Sequence, residues 1–161
     1  MIWIGIDPGA KGAMALVGWE ECLTTFSKEI FDLKKGPVII PFDQKKYIDT
    51  LWGLKCEDAD CICCIEAVHS ITGQGIASSF KFGTAYGWLL GMLDAIGIPY
   101  QPITPQKWKK EFGLTADKTG SVEVCKRLYP GVSLLRTERS KKEDDNMAEA
   151  LLMATYAKRK F

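Results

Sequence analysis

Ile2-Trp3-Ile4-Gly5-Ile6-Asp7-Pro8-Gly9-Ala10-Lys11-Gly12-Ala13-Met14-Ala15-Leu16-Val17 is the stretch on which the reading of this chain turns. Residues 2–7 are an apolar run that stops at Asp7. Pro8-Gly9-Ala10-Lys11-Gly12 supplies turn residues, and residues 13–17 are apolar again. The pattern predicts two strands joined by a short glycine-bearing turn. An acid closes the first strand, in surroundings where a carboxylate is costly unless it is paired or bound to a cation.

Outward from that hairpin, apolar runs and punctuation predict a third strand at 22–26 and a loop marked by Gly36-Pro37 and Pro41. Residues 44–55 suit an amphipathic helix, with Tyr47, Ile48, Leu51 and Trp52 at helical spacing. A strand over 60–65 ends at Glu66, and the polar stretch 69–75 reads as a loop. Residues 76–96 predict a long helix and 98–103 a short strand. Pro105 suits the first turn of a short helix capped by Thr104. Further helices are expected over 120–129 and from about 143 to the end. This order predicts an α/β fold, a mixed central sheet flanked by helices.

At 161 residues the chain has room for one domain, residues 1–161, with no linker dividing it. Hydrophobic residues make up 47% and charged residues 25%, which excludes disordered and low-complexity classes. No run approaches the ~18 apolar residues of a membrane span. Asp7-Pro8 interrupts the start before a signal-peptide core can form. A cytoplasmic protein without a membrane partner is expected. The net charge of +1 conceals an asymmetry: residues 1–100 carry −4 and residues 101–161 carry +5. Lys107-Trp108-Lys109-Lys110 and Lys158-Arg159-Lys160 lie in the basic part, which suits a polyanion.

Six cysteines occur, four of them within nine residues. Cys61-x-x-Cys64 has the spacing of half a zinc site, but Ile62, Cys63 and Ile65 make it read as a buried strand. Small buried hydrophobes in a reducing compartment account for these residues.

Three acids stand inside apolar surroundings: Asp7, Glu66 after Cys61-Ile62-Cys63-Cys64-Ile65, and Glu149 within Met147 to Ala154. Asp145 lies four residues before Glu149, on the same helix face. Two strand ends and one helix start can converge on a patch, and no Lys or Arg neighbours these acids locally. All-oxygen ligation of that kind suits Mg²⁺, with Mn²⁺ as the other choice. Two such ions about 3.5–4 Å apart serve phosphodiester cleavage.

Quoted together, Ile4-Gly5-Ile6-Asp7-Pro8-Gly9, Cys64-Ile65-Glu66-Ala67-Val68-His69 and Asp145-Asn146-Met147-Ala148-Glu149-Ala150-Leu151 resemble, in order and spacing, the three motifs of RuvC-like Holliday junction resolvases. Gly73-Gln74-Gly75, Phe80-Lys81-Phe82-Gly83 and Thr104-Pro105-Gln106-Lys107-Trp108-Lys109-Lys110 are similar to the phage-type branch. The resemblance covers most of the chain except the stretch around residues 28–43. It implies an RNase H-like fold and a homodimeric endonuclease acting on branched DNA, four-way junctions or forks, in a bacterial or phage-infected cell. It implies Mg²⁺-dependent hydrolysis to 5′-phosphate and 3′-hydroxyl ends, with Asp7, Glu66, Asp145 and Glu149 as ligands. Lys107 and Lys118 stand where the family places phosphate-binding lysines, and Lys118 would stabilise charge on the scissile phosphate. Lys81, Lys109 and His69 are the further substrate contacts implied. Two departures stand out. The family's last two acids are three residues apart, whereas Asn146 holds that position here. Bacterial RuvC carries an aromatic wedge three residues after the second acid, where this chain has His69.

Other readings concern single features. Gly5, Gly9 and Gly12 resemble the phosphate turn of actin-like ATPases, which need a second lobe that 161 residues do not accommodate. Gly83, Gly87 and Gly91 recur every four residues, a costly pattern in a helix, expected to pack within the chain or else at a dimer interface. Trp108 is either a DNA contact or the apolar anchor of its helix. A nucleic-acid-binding module of the same fold, with little or no nuclease activity, is the alternative function.

Overall fold

The computed structural model describes residues 1–18, 36–69, 73, 75–114 and 119–161. The strand expected at 22–26, residues 70–72 and 74 of the expected loop, and Lys118 lie outside them.

Strands β1 (Ile2–Asp7) and β2 (Ala13–Gly18) pair antiparallel, from Ile2 opposite Gly18 to Asp7 opposite Ala13. The turn between them closes with the Gly12 amide donating to the Gly9 carbonyl at 2.9 Å. A Cβ at position 12 would collide with the Asp7 carbonyl oxygen, so the turn admits no side chain there. This glycine closes the hairpin on itself, which accounts for it without a phosphate cradle.

β3 (Val38–Pro41) pairs antiparallel with β2. Residues 36–41, expected as a loop, therefore include a strand. Pro37 precedes and Pro41 ends this strand, which lies at the edge of the described sheet, where a missing N–H is tolerated. There follow α1 (Gln44–Cys56), β4 (Cys61–Glu66), α2 (Ile76–Ile96), β5 (Tyr100–Ile103), α3 (Pro105–Glu111), α4 (Thr119–Leu128) and α5 (Asp145–Lys160). β4 runs parallel to β1, and β5 parallel to β4. The described strands lie in the order β3-β2-β1-β4-β5, which is the mixed sheet that the pattern predicts.

Side chains alternate across this sheet and build two cores. Ile2, Ile4, Ile6, Met14, Leu16, Cys63 and Ile65 face α1 and α2, where Tyr47, Leu51, Leu54, Leu89 and Leu93 meet them. Trp3, Ala13, Ala15, Val17 and Cys64 face α5. Cys61 packs with the first core and Cys64 belongs to the second, so the Cys61-x-x-Cys64 pair points to opposite faces. Burial pushes the Cys64 thiol up to about 11, against the pull of Lys107, and burial pushes Cys125 up to about 12.

α5 is buried from Met147 through Ala157, in keeping with its apolar character on every face. Full burial of Leu151, Leu152 and Met153 contributes about 1.5–3 kcal/mol each. The helix begins at Asp145, two residues later than expected, because Asp144 caps it by accepting from the amides of Asn146 and Met147. Thr104 occupies the N-cap of α3 as expected, but its side chain makes no capping hydrogen bond. Gly83, Gly87 and Gly91 are exposed on α2, and a Cβ on any of them would meet nothing within 4 Å. Their expected packing within the chain is thus absent among the described residues. No helix of the described residues is long and apolar enough to cross a membrane.

Candidate active site

Asp7 ends β1 and Glu66 ends β4, each one residue beyond the paired Ile6 and Ile65. By alternation Asp7 shares its face with Trp3 and Gly5, and Glu66 shares its face with Cys64. That is the face α5 covers. Asp7 is buried, with 9% of its surface exposed, and Glu66 is half-buried.

α5 approaches β1 most closely at Gly5, where a Cβ would overlap the backbone of Ala150 and Ala154. The helix start lies beside the β1–β2 turn because Arg136 ties the two together. Its Nε donates to Asp144 Oδ2 at 2.6 Å, and its Nη2 donates to the Lys11 carbonyl. At the other end, the Lys158 ammonium stands 5.6 Å from the Trp3 ring centre. α5 therefore runs opposite to β1. Asp145 and Glu149, in its first turns, lie at the end of the sheet that carries Asp7 and Glu66.

Two of these acids are engaged from α3. Glu66 Oε2 accepts from Trp108 Nε1 at 2.9 Å. Glu149, 7% exposed, has Oε1 3.0 Å from Lys109 Nζ, an ion pair outside hydrogen-bond alignment that leaves this buried oxygen without a hydrogen-bond donor. The Lys109 ammonium also lies 5.2 Å from the Trp108 ring centre. No Lys or Arg neighbours these acids locally in the sequence, and the cation beside Glu149 is Lys109, remote in sequence and adjacent in space.

Behind them, Asp144 is held below the ordinary carboxylate range. Burial pushes its carboxyl up, but the Arg136 guanidinium and the Met147 and Asn146 amides outweigh that. Arg136 and Asp144, which were not among the expected site residues, hold the start of α5 against the β1–β2 turn. The cap position of Asp144 was the available signal, whereas nothing local marks Arg136.

The carboxylates share one end of one face, but their side chains do not form a ready ligand cage. Among the described residues no three His, Cys, Asp or Glu side chains stand together closely enough to hold an ion. The donors themselves fit a hard dication, being all carboxylate oxygens, and Glu149 Oε1 is a buried acceptor with the Lys109 ammonium 3.0 Å away but out of hydrogen-bond alignment.

The expected substrate contacts divide. His69, Lys81 and Lys107 are exposed, on the segment after β4, on α2 and on α3 respectively. Lys109 is largely withdrawn into its pair with Glu149, with 19% of its side chain exposed. Trp108 is fully buried, so it has no ring face to offer a base, and the DNA-contact reading gives way to the helix-anchor one. Between α3 and the end of α5, a cleft of about 680 Å³ is lined in part by Lys107, Lys110, Tyr156 and Lys160. Lys160 pairs there with Glu111 at 2.7 Å.

No family model matches the chain, and no curated protein matches it. Solved structures do share its fold. Thermus thermophilus RuvC matches with a TM-score of 0.51 at 16% identity, over 96% of this chain and 91% of that one. T. thermophilus RuvC in complex with Holliday junction substrate matches with a TM-score of 0.54 at 16% identity, over 99% of this chain and 96% of that one. The mixed sheet with flanking helices is thus the RuvC-like form of the RNase H-like fold.

Proposed function

We propose that this chain is a divalent-metal-dependent endonuclease of branched DNA, a Holliday junction resolvase in a single nuclease domain. The observation that carries the proposal is the gathering of Asp7, Glu66, Asp145 and Glu149 at one end of one face, where Gly5 lets α5 lie against β1. The RuvC-like fold supports it, and one structural neighbour is itself bound to a Holliday junction. The quoted motifs favour the phage-type branch.

Bound Mg²⁺ or Mn²⁺, two ions in this reading, would activate water and stabilise the leaving oxygen. Asp7, Glu66, Asp145 and Glu149 would hold the ions. Water oxygen bonds to phosphorus, the bond from phosphorus to the 3′-oxygen breaks, and a proton passes to that oxygen. Lys109 pairs with Glu149. With Glu149 holding an ion, the Lys109 ammonium would be available to a phosphate. Lys107, Lys81 and His69 are exposed and would meet the DNA, and Lys118 would stabilise the scissile phosphate.

Matched cuts on a four-way junction require two sites, and we assign the second to a second copy of the chain. Ile76, Phe80, Gly83, Gly87 and Gly91 follow one exposed line along α2, with Ile76 90% and Phe80 76% exposed. Such a face suits helix-to-helix contact between copies.

The binding-module alternative draws on one observation, the occupation of Glu149 by Lys109. Cleavage of labelled four-way junction, fork, flap, linear duplex and RNA–DNA hybrid, in Mg²⁺ and in Mn²⁺, separates the readings. Paired symmetric nicks in the junction are expected. Cutting confined to forks or flaps would keep the nuclease and remove the resolvase assignment. Junction binding without any cut in either metal would establish the binding module.

A further inference from the structure

The side chain best placed to control this site is one that the DNA-contact reading would have put on the surface. We propose that Trp108 is a positioning residue that orders Glu66 as a metal ligand, an inference that rests on the nuclease reading above.

An indole N–H can only donate, and a buried one is costly without an acceptor. Trp108 is 0% exposed, and its ring belongs to the buried core that includes most of α5. Its donor direction is therefore set by packing. The acceptor it meets is a carboxylate oxygen, Glu66 Oε2, at 2.9 Å. A hydrogen bond from a rigid donor restricts the rotamer of the acid that accepts it. A ligand ordered before the ion arrives loses less freedom when the ion binds. The neighbouring Lys109 pairs with Glu149, so one short helix holds two acids that come from different elements. Leucine or phenylalanine at 108 would leave part of this core unfilled and would supply no donor.

Trp108→Phe keeps an aromatic ring in the core and deletes the donor. Mn²⁺ binding to the full chain, without DNA, is read by the paramagnetic resonance of free Mn²⁺. The expected result is about 10–100-fold weaker binding, the usual effect of losing a partner that orients a metal ligand. Glu66→Gln and the double variant complete a cycle. If Trp108 acts through Glu66, the double variant binds no more weakly than Glu66→Gln alone, whereas a general loosening of the fold adds to it. Unchanged affinity in Trp108→Phe, or additive losses, would overturn the inference and leave the nuclease reading standing. A wild-type chain that binds no Mn²⁺ would overturn both. A second readout does not depend on the variant folding: the Trp108 indole N–H resonance in the wild-type chain, followed through a Mg²⁺ titration. It is expected to shift along the same saturation curve as ion binding. A resonance that stays still at saturating Mg²⁺ counts against the role.

Discussion

Glu149 and Asp144 stand five residues apart and carry opposite burdens. Glu149 is buried and paired with one lysine at 3.0 Å, an arrangement in which a dication could take the place of that lysine. Asp144 is satisfied from every side: Arg136 Nε at 2.6 Å and two backbone amides at 2.9 Å and 3.2 Å. Its task is to start α5 and, through Arg136, to hold that start against the β1–β2 turn. Asp144→Asn keeps a capping side chain but gives up the charge. Because the folded carboxyl lies below its ordinary value of 3.8, its contribution is fully present above that value and is lost as pH falls through the lower folded value. Urea unfolding of wild type and Asp144→Asn should therefore differ by about 1 kcal/mol at pH 7 and converge in acid. Curves separated equally at all pH values would contradict this. At this scale the acids were legible and their partners were not. Asp7, Glu66 and Glu149 interrupt apolar runs, a local signal. Trp108 and Lys109 reach Glu66 and Glu149 from far along the chain, and only the tertiary path of α3 reveals that.

α5 and α2 show what element-level patterns do and do not disclose. The apolar run around Glu149 announced a helix buried on all sides, and residues Met147 to Ala157 are buried. Val38-Ile39-Ile40 was too short a run to outweigh Pro37 and Pro41, yet pairing with β2 makes it a strand. The glycines of α2 signalled close packing without naming the partner, and within the described chain there is none. Each costs about 0.8–1.0 kcal/mol against alanine in a helix, so contact between copies would have to offset it. Gly87→Leu tests this. On the monomer it gains helix propensity, and its Cβ meets nothing within 4 Å. On a dimer it separates the two helices. Sedimentation equilibrium should show a wild-type dimer and a Gly87→Leu monomer that melts no lower. A variant that remains dimeric would remove α2 from the interface.

For the whole molecule, an antiparallel meander and two parallel strands bring the ends of β1 and β4 side by side, and α5 runs back across them with its first turns over those ends. The two halves of the sequence differ in charge for a reason visible in this arrangement. The more acidic half supplies β1 and β4, and the basic half supplies α3 and α5 with Lys107, Lys109, Lys110 and Lys160 around the site and its neighbouring cleft. A polyanion would be drawn to that side with strong salt dependence. The central claim is that the gathered carboxylates cut DNA. Its most direct test is strand-resolved cleavage of a four-way junction in Mg²⁺ by wild type and by Glu149→Gln, with thermal melting of both as the check on folding. The account predicts paired nicks by the wild type and at least about 100-fold slower cleavage by the folded variant, since several kcal/mol of metal-borne charge stabilisation depend on that site. Equal rates from the two chains, or no cleavage by the folded wild type, would contradict it.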